Sequence, residues 1–123
     1  MNAVQQRQRR EIMTRLMVRY KVRPEEVAAN EQAIEGVFAE LWERGLPGIR
    51  YATFKLEDGV SFMHIFSAEG DGDRAALRAL PAFKTFSEGV RARCEEQPVV
   101  TQLDEVGSYR LFGDAEPVAA QGS

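Results

Sequence analysis

Apolar and polar residues alternate in the first structured part of the chain. Between Met13 and Val22 one set of alternate positions is apolar or aromatic, while the other is mainly basic. This period of two is typical of a β-strand with one buried face. From Pro24 the apolar residues recur at helical spacing until Gly45. Because proline suits the first turn of a helix and glycine its end, the pattern predicts a strand followed by a long amphipathic helix.

Two short apolar segments, 49–56 and 60–67, flank Asp58-Gly59 at the centre of the chain. Asp-Gly favours a tight β-hairpin turn, so both segments are predicted strands. A two-residue loop places Thr53 opposite His64, whereas a three-residue loop with a bulge places Ala52 opposite His64. The register decides which residues share a face, and the sequence leaves both registers open.

The C-terminal half has a second helical segment and a last strand. Asp73 is the predicted N-cap of this helix, and Pro81 is predicted to break it into two pieces. Pro98 is predicted to end the helix, and residues 99–112 to form the strand. The order strand, helix, two strands, helix, strand is that of a ferredoxin-like β-α-β-β-α-β unit. We therefore predict an α+β fold, with an antiparallel sheet and helices on one of its faces.

The third predicted strand is apolar on both faces. Phe62 and Phe66 point to one side, and Met63 and Ile65 to the other. A strand that is apolar on both faces is buried on both, yet the predicted helices cover only one. A second copy of the sheet would cover the other face, so the pattern predicts a homodimer.

Length and charge narrow the function classes. The chain has 123 residues, which predicts one domain over 13–112 between a flexible basic tail, 1–12, and a flexible C-terminal tail, 113–123.

The net charge is −3, with +6 over residues 1–23 and −9 over the remainder. An acidic body repels a phosphate backbone, which argues against nucleic acid as a partner. A weak nucleic-acid contact through Arg7, Arg9 and Arg10 is the opposing hypothesis.

A single cysteine, Cys94, excludes an intrachain disulfide. A lone cysteine fits a reducing compartment. The chain also lacks an apolar run of membrane-spanning length and a secretory signal pattern. These features predict a cytoplasmic protein with no membrane partner.

Several segments carry a family resemblance: Pro24 leading into a helix that ends near Trp42, the hairpin TFKLEDGVSFMHIFS, the helix LPAFKTFSEGVRARC and the end SYRLFG. Together they resemble the dimeric α+β barrel superfamily, and within it the antibiotic-biosynthesis-monooxygenase-like proteins. The resemblance implies two sheets packed face to face in a homodimer, with a cavity between sheet and helices. It also implies cofactor-free oxidation of aromatic or quinol-like molecules, or haem degradation. The chain departs from the pattern at His64, where many relatives carry an acidic residue.

Few residues of this chain are suited to catalysis. His64 is the only histidine, and it is either a general base or a hydrogen-bonded structural residue. Tyr51 and Tyr20 are the candidates for orienting a phenol beside it. The candidates for lining an apolar ligand site are Trp42, Phe54, Phe83 and Phe86, although Trp42 is also predicted as a core anchor.

One histidine and one cysteine cannot by themselves form a zinc site, and we expect neither a metal nor a cofactor. Two functions follow as hypotheses. The first is a cofactor-independent monooxygenase acting on a small aromatic or quinol-like substrate, with His64 as its base. The second is a non-catalytic homodimeric module that binds a small apolar ligand or regulates a partner.

Overall fold

A computed structural model describes residues 14–111 of the chain. Its elements, in chain order, are β1 (Thr14–Val22), a 3-10 turn (Pro24–Glu26), α1 (Val27–Arg44), β2 (Ile49–Lys55), β3 (Ser61–Ala68), α2 (Asp71–Arg78), α3 (Pro81–Arg93) and β4 (Cys94–Gln102). The predicted tails, 1–12 and 113–123, and the arm at Arg7, Arg9 and Arg10 lie outside the described residues.

The four strands form one antiparallel sheet in the order β2-β3-β1-β4. Side chains of α1 and α3 pack with one face of this sheet to form the core. The core residues are Tyr20, Val22, Ile34, Val37, Phe62, Phe86, Val90 and Cys94. The ferredoxin-like α+β fold predicted from the order of segments is confirmed.

The β2–β3 hairpin adopts the register of the two-residue loop. Thr53 pairs with His64, and Tyr51 pairs with Phe66. Because paired residues share a face, Thr53 and Tyr51 lie on the same side of the sheet as His64. This choice of register, which the sequence left open, decides the surroundings of His64.

The turn itself is wider than Asp58-Gly59 alone. The Leu56 N–H donates to the Ser61 carbonyl across a distance of 2.8 Å, so four residues form the loop. Gly59 has a φ of 78°, a conformation that suits glycine. The Asp58 carboxylate accepts hydrogen bonds from the Ser61 hydroxyl and from the backbone N–H groups of Val60 and Ser61, and these bonds lower the pKa of Asp58. The loop is therefore closed by a side chain as well as by the backbone.

Two predicted boundaries near the C-terminus are wrong. α2 begins at Asp71 with Gly70 as its N-cap, so Asp73 lies in the first turn instead of capping it. β4 begins at Cys94 and runs through Pro98, while 103–111 lie outside any strand. Pro98 is tolerated because β4 is an edge strand, and its pairing with β1 shifts register around this position. The break at Pro81 between two helices is confirmed.

Candidate functional site

His64 lies on the helix-facing side of the sheet, within a cluster of hydroxyl groups. Only 4% of its surface is exposed. Its Nε2 is 2.8 Å from the hydroxyl oxygen of Tyr20. Its Nδ1 is 2.9 Å from Thr53 Oγ1 and 3.1 Å from the Tyr51 hydroxyl. The structure therefore brings the three predicted catalytic residues, His64, Tyr51 and Tyr20, into one hydrogen-bonded group.

Two residues that the sequence analysis missed extend this group. Asn30, on α1, is fully buried, and its Nδ2 donates to the Tyr20 hydroxyl at 2.9 Å. Arg93, at the end of α3, donates from Nε to Asn30 Oδ1 at 3.0 Å. A continuous line of polar groups thus crosses the core from α3 through α1 to the sheet. The available signal was the position of Asn30 within the apolar stripe of the helix, four residues before Ile34.

Burial sets the protonation of these groups. It lowers the pKa of His64 to about 4, so the imidazole is neutral at pH 7. It raises the pKa of the Tyr20 and Tyr51 phenols, which therefore keep their protons. At neutral pH the cluster consists of uncharged donors and acceptors apart from the Arg93 guanidinium.

A cleft of about 450 Å³ opens between α1 and β2. Its lining residues are Glu31, Ile34, Glu35, Phe38, Ala52, Thr53, Lys55 and Phe62. Thr53 belongs both to the cleft and to the His64 cluster, so its hydroxyl lies between the two. Lys55 and Glu31 form an ion pair of 2.6 Å at the rim. Glu35, by contrast, has no ion-pair partner within residues 14–111.

The aromatic residues that were predicted to line a ligand site do not lie together. Phe86 packs against His64, with ring centroids 5.3 Å apart, and Phe83 is partly buried against the core. Phe54 pairs with Met63 on the opposite face of the sheet and is 47% exposed. The structure does not bring Phe54 together with His64.

Trp42 is 74% exposed, so the prediction of a core anchor is wrong. The buried stripe of α1 passes through Asn30, Ile34 and Val37. Trp42 lies about 100° round the helix from that line, one turn beyond Phe38. It therefore continues the flank of α1 that lines the cleft, without being one of the residues of its wall.

The described part of the chain lacks both a metal-binding cluster and a membrane-spanning helix. Between residues 14 and 111 no three His, Cys, Asp or Glu side chains are grouped closely enough to hold a metal ion. Over the same range no helix combines the length and apolar character needed to cross a membrane.

Solved structures with this fold include proteins named for oxygenase activity. An antibiotic biosynthesis monooxygenase superposes with a TM-score of 0.64 at 14% identity, covering 76% of this chain and 99% of that one. Rv0793 from Mycobacterium tuberculosis superposes with a TM-score of 0.66 at 16% identity, covering 78% and 97%. A mutant of SnoaB, a cofactor-independent oxygenase from Streptomyces nogalater, superposes with a TM-score of 0.61 at 16% identity, covering 80% and 97%.

No protein-family model matches the chain, and no curated protein matches its sequence. The likeness to solved structures confirms the predicted resemblance to the antibiotic-biosynthesis-monooxygenase proteins at the level of the fold.

Proposed function

We propose that this protein binds a small aromatic, quinol-like molecule in the α1–β2 cleft and oxidises it with molecular oxygen, without a cofactor. The observation that carries the proposal is the cleft itself, where apolar walls adjoin a hydroxyl and a carboxylate. Ile34, Phe38 and Phe62 are suited to an aromatic ring, since small-molecule sites are mostly apolar with a few polar groups. The fold shared with an enzyme named as a cofactor-independent oxygenase supports the same reaction class.

The proton acceptor that we propose is Glu35. Glu35 is an exposed residue that lines the cleft, and the other acidic residue there, Glu31, is already paired with Lys55. A positioned carboxylate can remove a proton from a ring-activated CH2 group. The resulting carbanion adds O2 to form a peroxide, which takes up a proton. Loss of water, which carries away the second hydrogen of that carbon, leaves a carbonyl group.

The sequence-based hypothesis assigned the base role to His64, and the geometry favours a different role. Both ring nitrogens already have hydrogen-bond partners, and the ring is almost completely buried. We propose that His64, Tyr20 and Tyr51 act as positioning residues behind Thr53. In this arrangement Thr53 and Glu35 are the polar groups that meet the substrate.

Turnover by the wild-type protein tests this function. Anthrone-type and quinol substrates are incubated with the protein while oxygen uptake is recorded and the products are identified by mass spectrometry. We expect uptake of one O2 per product, with the product gaining one oxygen atom and losing two hydrogen atoms. Substrate alone and heat-unfolded protein provide the background rates. Rates equal to this background across the panel contradict an oxygenase.

The alternative function, a non-catalytic homodimeric module that binds a small ligand or regulates a partner, is favoured by one observation. Both ring nitrogens of His64 are hydrogen-bonded to neighbouring side chains, which is typical of a histidine with a structural role. Saturable binding of the aromatic panel, localised to the cleft by NMR shift changes and unaccompanied by turnover, is the result expected for this alternative.

The sheet face opposite the helices is the proposed homodimer interface. It presents apolar side chains from three strands, including Ile65, Met63 and the 47% exposed Phe54. Val99 on β4 adds a side chain that is 62% exposed. A second copy packed on this face would remove this apolar surface from water, which favours association.

Replacing Ile65 by glutamate is expected to dissociate the dimer. Ile65 lies on β3, an inner strand of the sheet, and its replacement puts a charge from each copy into the apolar part of the interface, which is costly. Sedimentation equilibrium should give twice the 13.8 kDa chain mass for the wild type, and a dissociation constant at least tenfold higher for Ile65→Glu. Ala39→Glu, at an exposed position of α1, is the charge-matched control. A wild-type monomer at high concentration, or an Ile65→Glu variant as dimeric as the control, contradicts this interface.

A further inference from the structure

The line of hydrogen bonds from Arg93 to Thr53 has a direction, because Arg93 can only donate. A guanidinium has N–H groups and no acceptor. Its Nε lies 3.0 Å from Asn30 Oδ1, so the amide oxygen of Asn30 faces Arg93. The amide nitrogen then faces Tyr20 and donates to its oxygen at 2.9 Å. The Arg93 guanidinium, which can only donate, therefore fixes the orientation of the buried Asn30 amide.

This orientation selects the tautomer of His64. The Tyr20 oxygen already accepts from Asn30, and its own hydrogen is directed to His64 Nε2, 2.8 Å away. With Nε2 as acceptor, the neutral ring carries its proton on Nδ1. In the opposite tautomer, Nε2–H and the Asn30 N–H would both point at the Tyr20 oxygen. The Tyr20 hydrogen would then lack a partner at a site only 3% exposed, which is unfavourable.

The same direction continues to the cleft. The Nδ1–H of His64 donates to Thr53 Oγ1 at 2.9 Å, with the Tyr51 hydroxyl as a second acceptor at 3.1 Å. The Thr53 hydroxyl also interacts with the Tyr51 hydroxyl, whose hydrogen can point to Thr53 Oγ1. Thr53 then accepts from both His64 and Tyr51 through its two lone pairs. Its hydrogen is therefore free to turn towards the cleft, which Thr53 lines.

We infer that Thr53 is a hydrogen-bond donor to the bound molecule, which presents an acceptor oxygen, a carbonyl or a phenolate, at that point of the cleft. Asn30 and Tyr20 are positioning residues that fix this polarity through His64. The ligand part of the inference rests on the proposed function, whereas the tautomer does not. The cleft should therefore prefer an oxygenated ring to a hydrocarbon, because a bound hydrocarbon would leave the Thr53 hydroxyl without an acceptor.

The tautomer is measured directly on the full chain. His64 is the only histidine, so protein labelled with ¹⁵N-histidine gives a single imidazole by NMR. We expect a pyrrole-type Nδ1 and a pyridine-type Nε2 in the wild type. Asn30→Asp keeps the shape of the side chain but offers only acceptors. The Tyr20 hydroxyl then donates to the new carboxylate, and the Tyr20 oxygen accepts from the Nε2–H of His64. We expect the two ring nitrogens to exchange their chemical-shift types in this variant.

The ligand contact is measured with 1-tetralone and tetralin, which share a ring system and differ in one carbonyl oxygen. We expect the wild type to bind 1-tetralone more tightly than tetralin. Thr53→Val should weaken 1-tetralone by about three- to tenfold, the effect of one neutral hydrogen bond, and leave tetralin unchanged. Asn30→Asp should weaken 1-tetralone similarly. Thr85→Val, at an exposed position of α3, is the matched control and should bind both probes as the wild type does.

The outcomes separate the two proposals. An Nε2–H tautomer in the wild type, or no exchange in a folded Asn30→Asp variant, overturns the inference whether or not a ligand binds. Equal binding of both probes, unaffected by Thr53→Val, overturns the inference and leaves the cleft as a ligand site. Absence of binding of either probe at millimolar concentration overturns the cleft as a ligand site, and with it the proposed function.

Discussion

Acidification from pH 7 to pH 4 is expected to destabilise the folded protein by about 3 kcal/mol through His64 alone. The unfolded histidine has a pKa near 6.5, whereas burial lowers the pKa of His64 to about 4 in the folded state. Between these values the unfolded chain binds more protons than the folded one, so stability falls as the pH falls. Each unit of difference corresponds to about 1.4 kcal/mol. Above pH 7 the contribution of His64 should not change.

His64→Gln isolates this contribution from the carboxylates that titrate in the same range. Glutamine keeps a donor and an acceptor but cannot be protonated. Urea unfolding of both proteins, followed by circular dichroism at one protein concentration, gives the two free energies at each pH. We expect the stability advantage of the wild type over His64→Gln to shrink by about 3 kcal/mol from pH 7 to pH 4. Parallel curves for the two proteins, or an NMR titration of His64 with a midpoint near 6.5, contradict this prediction.

The sequence predicts the fold well because its strongest signals are local. The alternation that ends at Val22 requires a strand, while Pro24 and Pro81 suit the first turn of a helix. The prediction for Pro98 is wrong because the free-energy cost of a proline in a strand depends on whether another strand lies beside it. At an interior strand position its missing N–H would break the ladder, whereas on the edge strand β4, beside a register shift, the loss is tolerated. Only the order of strands in the sheet provides that context.

The site is predicted less completely, since its members meet through tertiary contacts. His64, Tyr20 and Tyr51 are identified by residue type alone, because each combines a polar atom with an apolar body. Thr53 depends on the hairpin register, which the sequence left open. Arg93 lies 63 positions from Asn30 in the chain, so no spacing pattern could have paired them. The cleft carboxylate Glu35 looks like any solvated residue of an amphipathic helix until β2 is placed beside it.

Glu35→Gln is expected to reduce kcat/KM for oxygen-dependent turnover by about 100-fold or more. The amide preserves the shape of the side chain but cannot accept a proton, and general base catalysis is typically worth two to four orders of magnitude. Substrate binding should change little, because the ring is held by Ile34, Phe38 and Phe62. The loss should therefore appear in kcat, with KM nearly constant. Steady-state oxygen uptake over a range of substrate concentrations separates the two constants.

The control for this variant is Glu43→Gln, which removes one carboxylate from an exposed position of the same helix, away from the residues that line the cleft. It should retain wild-type kcat and KM, which excludes a general effect of net charge. If Glu35→Gln retains activity while a folded His64→Gln variant loses it, the imidazole is the proton acceptor, as the sequence first suggested. The buried cluster would then have to open during turnover, because His64 Nδ1 reaches the cleft only after its bond to Thr53 breaks. Loss in Glu35→Gln, with kcat largely retained in His64→Gln, places the proton transfer at the wall of the cleft.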